Sequence, residues 1–161
     1  MDLLPQRRRL CHVPPAWVKF SSLYFITICC ERRGINQLCF PKVGGDLLKS
    51  AMFYHETQRW WMDTFLLMPD HLHGLLAFPK MEDLGTVFRM WKGYQYKQLR
   101  IEWQEGFFDH RLRSDESAEE KRQYILLNPV RAGLVARAED WPYVIRGGEY
   151  AAAHPEDSPY Q

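Results

Sequence analysis

The chain has 161 residues, of which 46% are hydrophobic and 14% aromatic. This length fits one globular domain that buries about two-thirds of its unfolded surface, which excludes a second domain. The 21 Lys and Arg residues balance 20 Asp and Glu residues for a net charge of +1, so total charge argues neither for nor against a nucleic-acid partner and only clusters of charge are informative.

The composition also bears on location and redox state. No apolar run approaches the roughly 18 residues that span a membrane, and the amino terminus lacks the apolar core of a signal peptide, so we expect a cytoplasmic protein. Cys11, Cys29, Cys30 and Cys39 show no Cys-x-x-Cys spacing, which predicts reduced packing thiols. The alternative is a zinc site that combines them with His12, although the spacings match no usual zinc pattern.

The chain begins with a predicted flexible basic arm over residues 1–17, in which Arg7, Arg8 and Arg9 stand among prolines without periodicity. Such an arm can hold a phosphate backbone or stay hydrated, and hydration is the interpretation we favour. Residues 18–146 form the predicted main domain, and residues 147–161 a loosely held tail.

The first predicted elements are a strand and a helix. Residues 23–29 are rich in β-branched and aromatic side chains, which is typical of a strand. Asp46 is predicted to cap a helix with one apolar face. That face carries Leu47, Leu48, Ala51 and Met52. His55 falls near it and is predicted to pack there.

Two further strands are predicted over residues 63–68 and 71–78, joined around Pro69 and Asp70. The second strand is flanked by apolar runs, as is typical of a central, largely buried strand. Asp70 adjoins the histidines that open this strand. It either orients a ring or forms the turn, and the turn is the interpretation we favour.

The second of these strands begins His71-Leu72-His73. Side chains alternate faces along a strand, so both imidazoles point to one side and Leu72 to the other. Neutral histidine is the commonest metal ligand, and a strand fixes the spacing of its ligands, so the pair indicates a metal site. The alternative is a packed core histidine beside a solvated one.

A helix is predicted from residue 83 or 84 to about residue 101, with an apolar side and a basic side. The basic side carries Arg89, Lys92, Tyr96 and Arg100. Cations interleaved with an aromatic ring can follow a phosphate backbone and stack a base, although a solvated face explains the pattern equally well. A strand over residues 107–113 follows, in which Arg111 and Arg113 lie on the same side as Asp109.

The last predicted helix starts near Ser114, Asp115 and Glu116, which offer a cap and acids for its positive end. It carries Tyr124, and Asn128 lies four residues later on the same face. A phenol that can attack and an amide oxygen that can bind a metal would then face one spot. Alternatively, Tyr124 belongs to the core and Asn128 caps a short helix that has a proline at its first position. Both interpretations can hold at once, because a residue before proline resists helical geometry.

Together these motifs resemble a known family. His71-Leu72-His73, then Tyr124 and Asn128 within the run Tyr-Ile-Leu-Leu-Asn-Pro-Val-Arg-Ala-Gly-Leu-Val, resemble the REP-associated tyrosine transposases, a branch of the HUH single-tyrosine transposases. The likeness spans roughly residues 20–143 and includes Trp-Gln-Glu-Gly-Phe-Phe-Asp-His at residues 103–110. The resemblance implies an α/β (α+β) fold, ferredoxin-like or RRM-like, with helices packed on an antiparallel sheet and the His-x-His motif on a central strand.

The resemblance also implies a chemistry for residues 18–146 as a catalytic domain. Its substrate would be single-stranded DNA with a palindromic hairpin, and Tyr124 would attack a phosphate to leave a 5′-phosphotyrosine and a free 3′-hydroxyl. A tyrosine hydroxyl is a poor nucleophile at neutral pH without help. His71, His73 and Asn128 would hold a divalent metal, and this ligand set suits Mg²⁺ or Mn²⁺, although zinc would bind the same nitrogens tightly.

Seven side chains are predicted to contact the DNA. These are Arg89, Lys92, Tyr96, Arg100, Arg111, Arg113 and Arg131.

Other functions stay open at this point. A rolling-circle replication initiator or relaxase would use the same histidines and tyrosine, but usually with a helicase or another large domain. A non-catalytic DNA-hairpin binder would need only the basic face. A zinc hydrolase built on His71 and His73 lacks an evident third ligand and general base. A monomer and a swapped homodimer, in which the tyrosine helix covers a neighbour's metal site, are both compatible with the sequence.

Overall fold

A five-stranded sheet runs through the computed structural model of the chain, which describes residues 16–113 and 116–146. Its strands are β1 (Leu23–Cys29), β2 (Trp61–Leu67), β3 (His71–Ala77), β4 (Phe108–Arg111) and β5 (Val144–Arg146). The α-helices are α1 (Pro41–Glu56), α2 (Leu84–Leu99), α3 (Ala118–Leu126) and α4 (Asn128–Arg131), with short 3-10 helices at Ala16–Phe20 and Ala138–Asp140.

The sheet has the ferredoxin-like topology that the family resemblance implies. Its strand order is β4-β1-β3-β2-β5, and every neighbouring pair is antiparallel. The elements β1 to β4 with α1 and α2 follow one another as β-α-β-β-α-β, which is the ferredoxin-like unit. The strand with the His-x-His motif, β3, lies at the centre between β1 and β2, so the predicted fold class is confirmed.

An aromatic core fixes which face of the sheet the first two helices cover. The Trp60 ring lies 6.1 Å from Phe65 of β2, 5.7 Å from Phe88 and 5.9 Å from Trp91 of α2, measured between ring centroids. Trp60 Nε1 also donates a hydrogen bond of 3.1 Å to the Ala51 carbonyl of α1. Ring pairs of this kind contribute about 0.5–1.5 kcal/mol each beyond their burial. The helices α1 and α2 therefore cover the Phe65 face.

The opposite face of the sheet carries the histidines. Phe65 pairs with Gly74, and Gly74 alternates with His73 along β3, so the imidazoles point away from the aromatic core. In the register, Thr27 of β1 and Leu66 of β2 flank His73. The helix α3 packs on this face against β2 and β3. The predicted placement of both imidazoles on one face is confirmed.

The first helix begins earlier than the sequence predicts. It starts at Pro41, whose missing N–H is no loss in the first turn. Gly44 lies inside this helix, and a Cβ there would come within 2.6 Å of the Tyr143 ring, so the position favours glycine. Asp46 pairs with Lys42 at 2.7 Å instead of capping the helix, so the predicted cap was wrong. His55 is buried at 2% exposure, as predicted.

Several other boundaries differ from the predictions. The helix α2 ends at Leu99 because Arg100 adopts a left-handed conformation with φ 60° and donates its N–H to Tyr96 O. The cap of α3 is Ser117, whose side chain accepts from Glu120 N–H at 3.2 Å. The predicted start three residues earlier was wrong, and residues 114 and 115 lie outside the described residues. The strand β5 was not predicted.

The remaining sequence predictions meet the structure only in part. Residues 16 and 17 belong to the first 3-10 helix, while the rest of the predicted arm and the tail from residue 147 lie outside the described residues. Cys29, Cys30 and Cys39 are free thiols, and the alternative zinc site would need Cys11 and His12, which are not described. Within the part of the chain that the structure describes, no helix is both long and apolar enough to cross a lipid bilayer.

Candidate active site

The two histidines of β3 lie side by side under α3. Their ring centroids are 4.9 Å apart and their planes are inclined by 80°. His73 is buried at 7% exposure, and the side chain of His71 is 17% exposed. The pair is therefore close enough for both rings to serve one ion, and it is reached from the His71 side.

Each ring has a partner at Nδ1. His71 Nδ1 lies 2.7 Å from Asp70 Oδ1, and His73 Nδ1 lies 2.9 Å from Thr27 Oγ1. A carboxylate only accepts hydrogen bonds, so neutral His71 carries its proton on Nδ1 and leaves the Nε2 lone pair available. The same tautomer of His73 donates to the threonine hydroxyl. Metal-binding histidines are commonly oriented in this way by a partner on the other ring nitrogen.

Electrostatics keep His73 neutral. Burial lowers its pKa to about 3, and the charges of His71, Arg131 and Arg33 act in the same direction, while a hydrogen bond with the Ile26 backbone opposes them. An imidazole with so low a pKa keeps a lone pair for a metal throughout the physiological range.

Asp70 has more contacts than a turn residue needs. Its Oδ2 accepts the Gly34 N–H at 2.7 Å and faces Arg33 Nε at 3.2 Å, while Oδ1 accepts from His71. Burial acts to raise the pKa of this carboxyl, but the Gly34 and His71 hydrogen bonds and the Arg33 charge outweigh it and lower the pKa. Asp70 therefore orients the His71 ring as well as lying in the turn, and our preference for the turn alone was wrong.

Tyr124 joins the histidines through one intervening ring. The Phe25 ring of β1 stacks on His73 with centroids 5.4 Å apart and planes inclined by 30°. The Tyr124 ring packs edge to face against Phe25, with the two ring centroids 5.9 Å apart. Its side chain is 51% exposed. The alternative that places Tyr124 in the core was therefore wrong, and the phenol is accessible beside the imidazole pair of its own chain.

A buried ion pair fixes the helix that carries Tyr124. Arg122 Nε and Nη2 donate to the two carboxylate oxygens of Asp63 at 2.8 Å and 2.6 Å. The Asp63 side chain is only 1% exposed and that of Arg122 13%. Asp63 is the extra residue of a β-bulge between Met62 and Thr64, and a bulge re-aims the side chains of its strand. The bulge thus supplies a carboxylate that anchors α3 to the sheet.

Asn128 is the first residue of α4, just after the end of α3. Leu127 separates α3 from α4 in a right-handed helical conformation, and its N–H bonds to Gln123 O while its carbonyl accepts from Arg131 N–H. Leu127 occupies the capping position of α4, so the alternative that makes Asn128 the cap was wrong. Asn128 Nδ2 is buried and has no hydrogen-bond partner among the described residues. The structure places His71 beside His73 and links Tyr124 to His73 through the Phe25 ring, while Asn128 follows Tyr124 by four residues.

A metal at this site would need ligands of mixed kind. Among residues 16–113 and 116–146, no group of three or more His, Cys, Asp and Glu side chains is arranged to hold a metal ion. A two-histidine site would take its remaining ligands from an amide, water or substrate oxygens. The imidazole nitrogens of His71 and His73 and the side-chain oxygen of Asn128 are ligand types that fit such a site.

The predicted DNA contacts fall into two groups. Arg89, Tyr96 and Arg100 are exposed on or beside α2, which covers the opposite face of the sheet from the histidines. Arg111 pairs in register with Tyr24 and therefore points to that same face, and Arg113 is exposed just beyond β4. These side chains do not line the histidine cluster.

Two predicted contacts have identified partners. Lys92 Nζ donates to the Gln104 and Gly106 carbonyls at 2.9 Å and 2.7 Å, so it holds a loop. The Arg131 guanidinium lies beside the cluster, with its carbon 4.3 Å from the centre of the Tyr124 ring. Of the seven, Arg131 is the one in contact with the candidate nucleophile.

Sequence reasoning missed four residues around the cluster. Phe25 and Thr27 come next to His73 only through the pairing of β1 with β3, which periodicity does not reveal. Lys121 lies with Nζ 5.9 Å from the Phe25 ring centre, and Arg33 reaches Asp70 from the loop after β1. Lys121 stands three residues before Tyr124, and this helical spacing was the available signal.

The chain is similar in sequence to known proteins over about half of its length. The sequence is 27% identical over 88 residues to a REP-associated tyrosine transposase of Escherichia coli strain K12, covering 51% of this chain and 52% of that protein. It is 30% identical over 94 residues to a Haemophilus influenzae protein that carries the same family name, covering 48% of this chain and 53% of that one. The chain thus spans about half the length of these relatives. No family model matches the chain.

The fold comparison extends further along the chain. A solved structure of a REP-associated tyrosine transposase bound to a REP hairpin matches with a TM-score of 0.66, at 20% identity, over 87% of this chain and 84% of that one. At this identity the match establishes the fold. The predicted resemblance is confirmed: the chain is similar in sequence to two proteins named REP-associated tyrosine transposases, and it shares the fold of a third.

Proposed function

We propose that the protein is a metal-dependent transposase or endonuclease of single-stranded DNA, which acts in the cytoplasm. It cleaves and rejoins DNA at palindromic, REP-like hairpins through a 5′-phosphotyrosine intermediate. One observation carries the proposal: the accessible phenol of Tyr124 lies against Phe25, and Phe25 stacks on the oriented His73. The names of the sequence relatives support a DNA-processing role, and that of the structural neighbour supports a hairpin as ligand.

The proposal includes a divalent metal held by His71, His73 and Asn128. The Asp70 carboxylate holds Nδ1 of His71 and leaves its Nε2 for the ion, the His73 ring lies beside it, and the side-chain oxygen of Asn128 is the third proposed ligand. Two imidazole nitrogens and an amide oxygen would leave room for water and phosphate oxygens, and such a ligand set suits Mg²⁺ or Mn²⁺. When bound, such an ion polarises the phosphate and orients the leaving oxygen.

The residues of the chain itself carry out the bond exchange. Tyr124 Oη forms a bond to the phosphorus while the bond from phosphorus to the 3′ oxygen breaks. The phenolic proton leaves to water, which reaches this half-exposed side chain, and the departing 3′ oxygen takes up a proton. Rejoining is the reverse, with a 3′-hydroxyl attacking the phosphotyrosine. Because one phosphodiester replaces another, no nucleotide cofactor is needed.

Cations around the cluster would hold the cleaved strand. Lys121 lies over Phe25, Arg131 over Tyr124, and Arg33 beside Asp70. Positive charge of this kind binds the backbone of a single strand. The exposed side chains on the other face of the sheet would then contact the DNA away from the cleaved phosphate. These are Arg89, Tyr96, Arg100 and Arg111, together with Arg113 beyond β4.

We further propose that one chain suffices for cleavage. The helix α3 packs on β2 and β3 of its own chain, and the Arg122–Asp63 ion pair holds it there. Tyr124 therefore lies against Phe25, the neighbour of His73, in its own chain, which supports an active monomer over a swapped dimer.

The test uses a hairpin oligonucleotide with a 5′ single-stranded tail, incubated with protein and Mg²⁺ or Mn²⁺ and run on a denaturing gel. We expect a covalent adduct with the wild type and none with Tyr124→Phe. Tyr94→Phe is the matched control, since Tyr94 is similarly exposed at 54% but lies on α2. Hairpin binding without an adduct for any divalent ion would favour a binding module. Metal-dependent hydrolysis that survives Tyr124→Phe would favour a metallohydrolase.

A further inference from the structure

Arg131 makes two contacts with Tyr124. Its guanidinium carbon lies 4.3 Å from the centre of the Tyr124 ring, and its Nη2 donates to the Tyr124 backbone carbonyl. Arg131 is the last residue of α4, seven positions after Tyr124. Residues seven apart share a helix face, and a long side chain on a helix points back toward the N-terminus, which lets Arg131 reach Tyr124.

The tyrosine ring therefore has an aromatic neighbour and a cationic neighbour. Phe25 meets it edge to face with planes inclined by 67°, and Arg131 lies over it as a cation. Yet the Tyr124 side chain is 51% exposed. A side chain this exposed ordinarily exchanges rotamers within nanoseconds, and ordering it costs conformational entropy. Two contacts from one arginine, to ring and backbone, restrict that exchange.

We propose that Arg131 is the positioning residue of Tyr124, which holds the phenol against Phe25 and so beside the imidazole pair. Its role in the reaction rests on the proposed function, whereas the ordering of the ring is a property of the free protein. The contacts require a planar group that stacks while one nitrogen donates. Arginine provides this and lysine, a compact ammonium, does not.

Binding a DNA phosphate, which the proposed function also gives to Arg131, is a role distinct from positioning the ring. The guanidinium has five N–H donors, of which the backbone contact uses one. If Arg131 only binds phosphate, lysine keeps most of its function, because the positive charge is kept. If Arg131 orients the tyrosine ring, lysine does not keep that function. Arg131→Lys therefore separates the two roles, and Arg131→Gln removes the charge as well.

The first measurement needs no DNA or metal. Ring-¹³C-labelled tyrosine gives one signal set per tyrosine, and Tyr124→Phe identifies that of Tyr124. We expect Arg131→Lys and Arg131→Gln to shift the Tyr124 signals and bring them closer to those of a freely rotating tyrosine. Arg137→Lys is the control, since Arg137 is an exposed arginine paired with Asp140 at 3.1 Å. Unchanged Tyr124 signals in both Arg131 variants would overturn the proposal.

The second measurement separates binding from chemistry. With Arg131→Lys we expect single-turnover adduct formation to slow by about 10- to 100-fold, the range that misplaced reacting groups cost, while the Kd for the hairpin changes less than about twofold. A Lys variant with the wild-type adduct rate would overturn the positioning role. If the wild type itself forms no adduct, the proposed function fails, and the tyrosine signals still decide whether Arg131 orders the ring.

Discussion

Arg122 and Asp63 join the helix of the candidate nucleophile to the sheet through two parallel hydrogen bonds of 2.8 Å and 2.6 Å. Both side chains are largely buried, at 13% and 1% exposure. Arg122 also pairs with Glu119, which is 62% exposed, but Asp63 is its buried carboxylate partner, and breaking a buried pair is far more destabilising than losing a surface pair.

We therefore expect Asp63→Ala to lower the free energy of unfolding by about 3–5 kcal/mol, measured by urea denaturation. Asp140→Ala is the matched control, because Asp140 is 50% exposed in its pair with Arg137 and an exposed ion pair contributes little to stability. Equal costs for the two variants would mean that Asp63 does not anchor α3.

The second prediction concerns acid stability and His55. Burial lowers its pKa to about 4, its Nδ1 accepts the Met62 N–H at 3.0 Å, and its ring packs on Trp61. The unfolded chain takes up a proton at this histidine near pH 6.5, while the folded chain does not until about pH 4. The stability that the neutral His55 gives the folded state is therefore fully present above pH 6.5 and is lost as the pH falls toward 4.

Over that window the histidine alone should reduce the free energy of unfolding by about 3 kcal/mol. His55→Asn keeps an acceptor near Nδ1 but does not titrate there. Between pH 6.5 and 4 we expect the free energy of unfolding of this variant to fall less steeply with pH than that of the wild type, by the equivalent of about one bound proton. Denaturation series at stepped pH measure this slope. Parallel pH profiles for the two proteins would contradict the assignment.

Short-range patterns predicted the centre of the fold well. The β-branched run of β1, the apolar flanks of β3 and the alternation of His71 with His73 are local features, and the sheet uses them as they stand. The face of α2 that buries Val87, Phe88 and Trp91 is local as well, since it repeats at helical spacing.

Contacts between distant residues account for the errors. Asp46 is predicted to cap the first helix, but the helix starts at Pro41 and includes Gly44, where the Tyr143 ring, far along the chain, leaves no room for a Cβ and so favours glycine. The partner of His73, Thr27, is 46 residues away and depends on strand register. The side of the sheet that α2 covers decides that Arg89 and Arg100 lie away from the histidines, and helical periodicity does not carry that information.

The third prediction tests the partners of the imidazoles. Asp70 and Thr27 hold the Nδ1 positions of the two rings, and removing such partners typically weakens metal binding 10- to 100-fold. We expect losses of about that size in Mn²⁺ affinity for Asp70→Asn and Thr27→Val, measured by calorimetry. Asp46→Asn removes a carboxylate that pairs with Lys42 on α1 and should leave the affinity unchanged. Undiminished binding in both ring-partner variants would count against a metal at His71 and His73.

The last prediction concerns Lys121 and the path of the strand. Its ammonium lies 5.9 Å from the Phe25 ring centre, next to the proposed cleavage site. Each phosphate neutralised in a single strand contributes about −0.7 to the slope of log K against log salt concentration. In a Tyr124→Phe background, which binds without chemistry, Lys121→Gln should make that slope shallower by about 0.7. Lys42→Gln is the control, since Lys42 pairs with Asp46 on α1. An unaltered slope for Lys121→Gln, measured by fluorescence anisotropy from low to moderate salt, would place the strand away from Lys121.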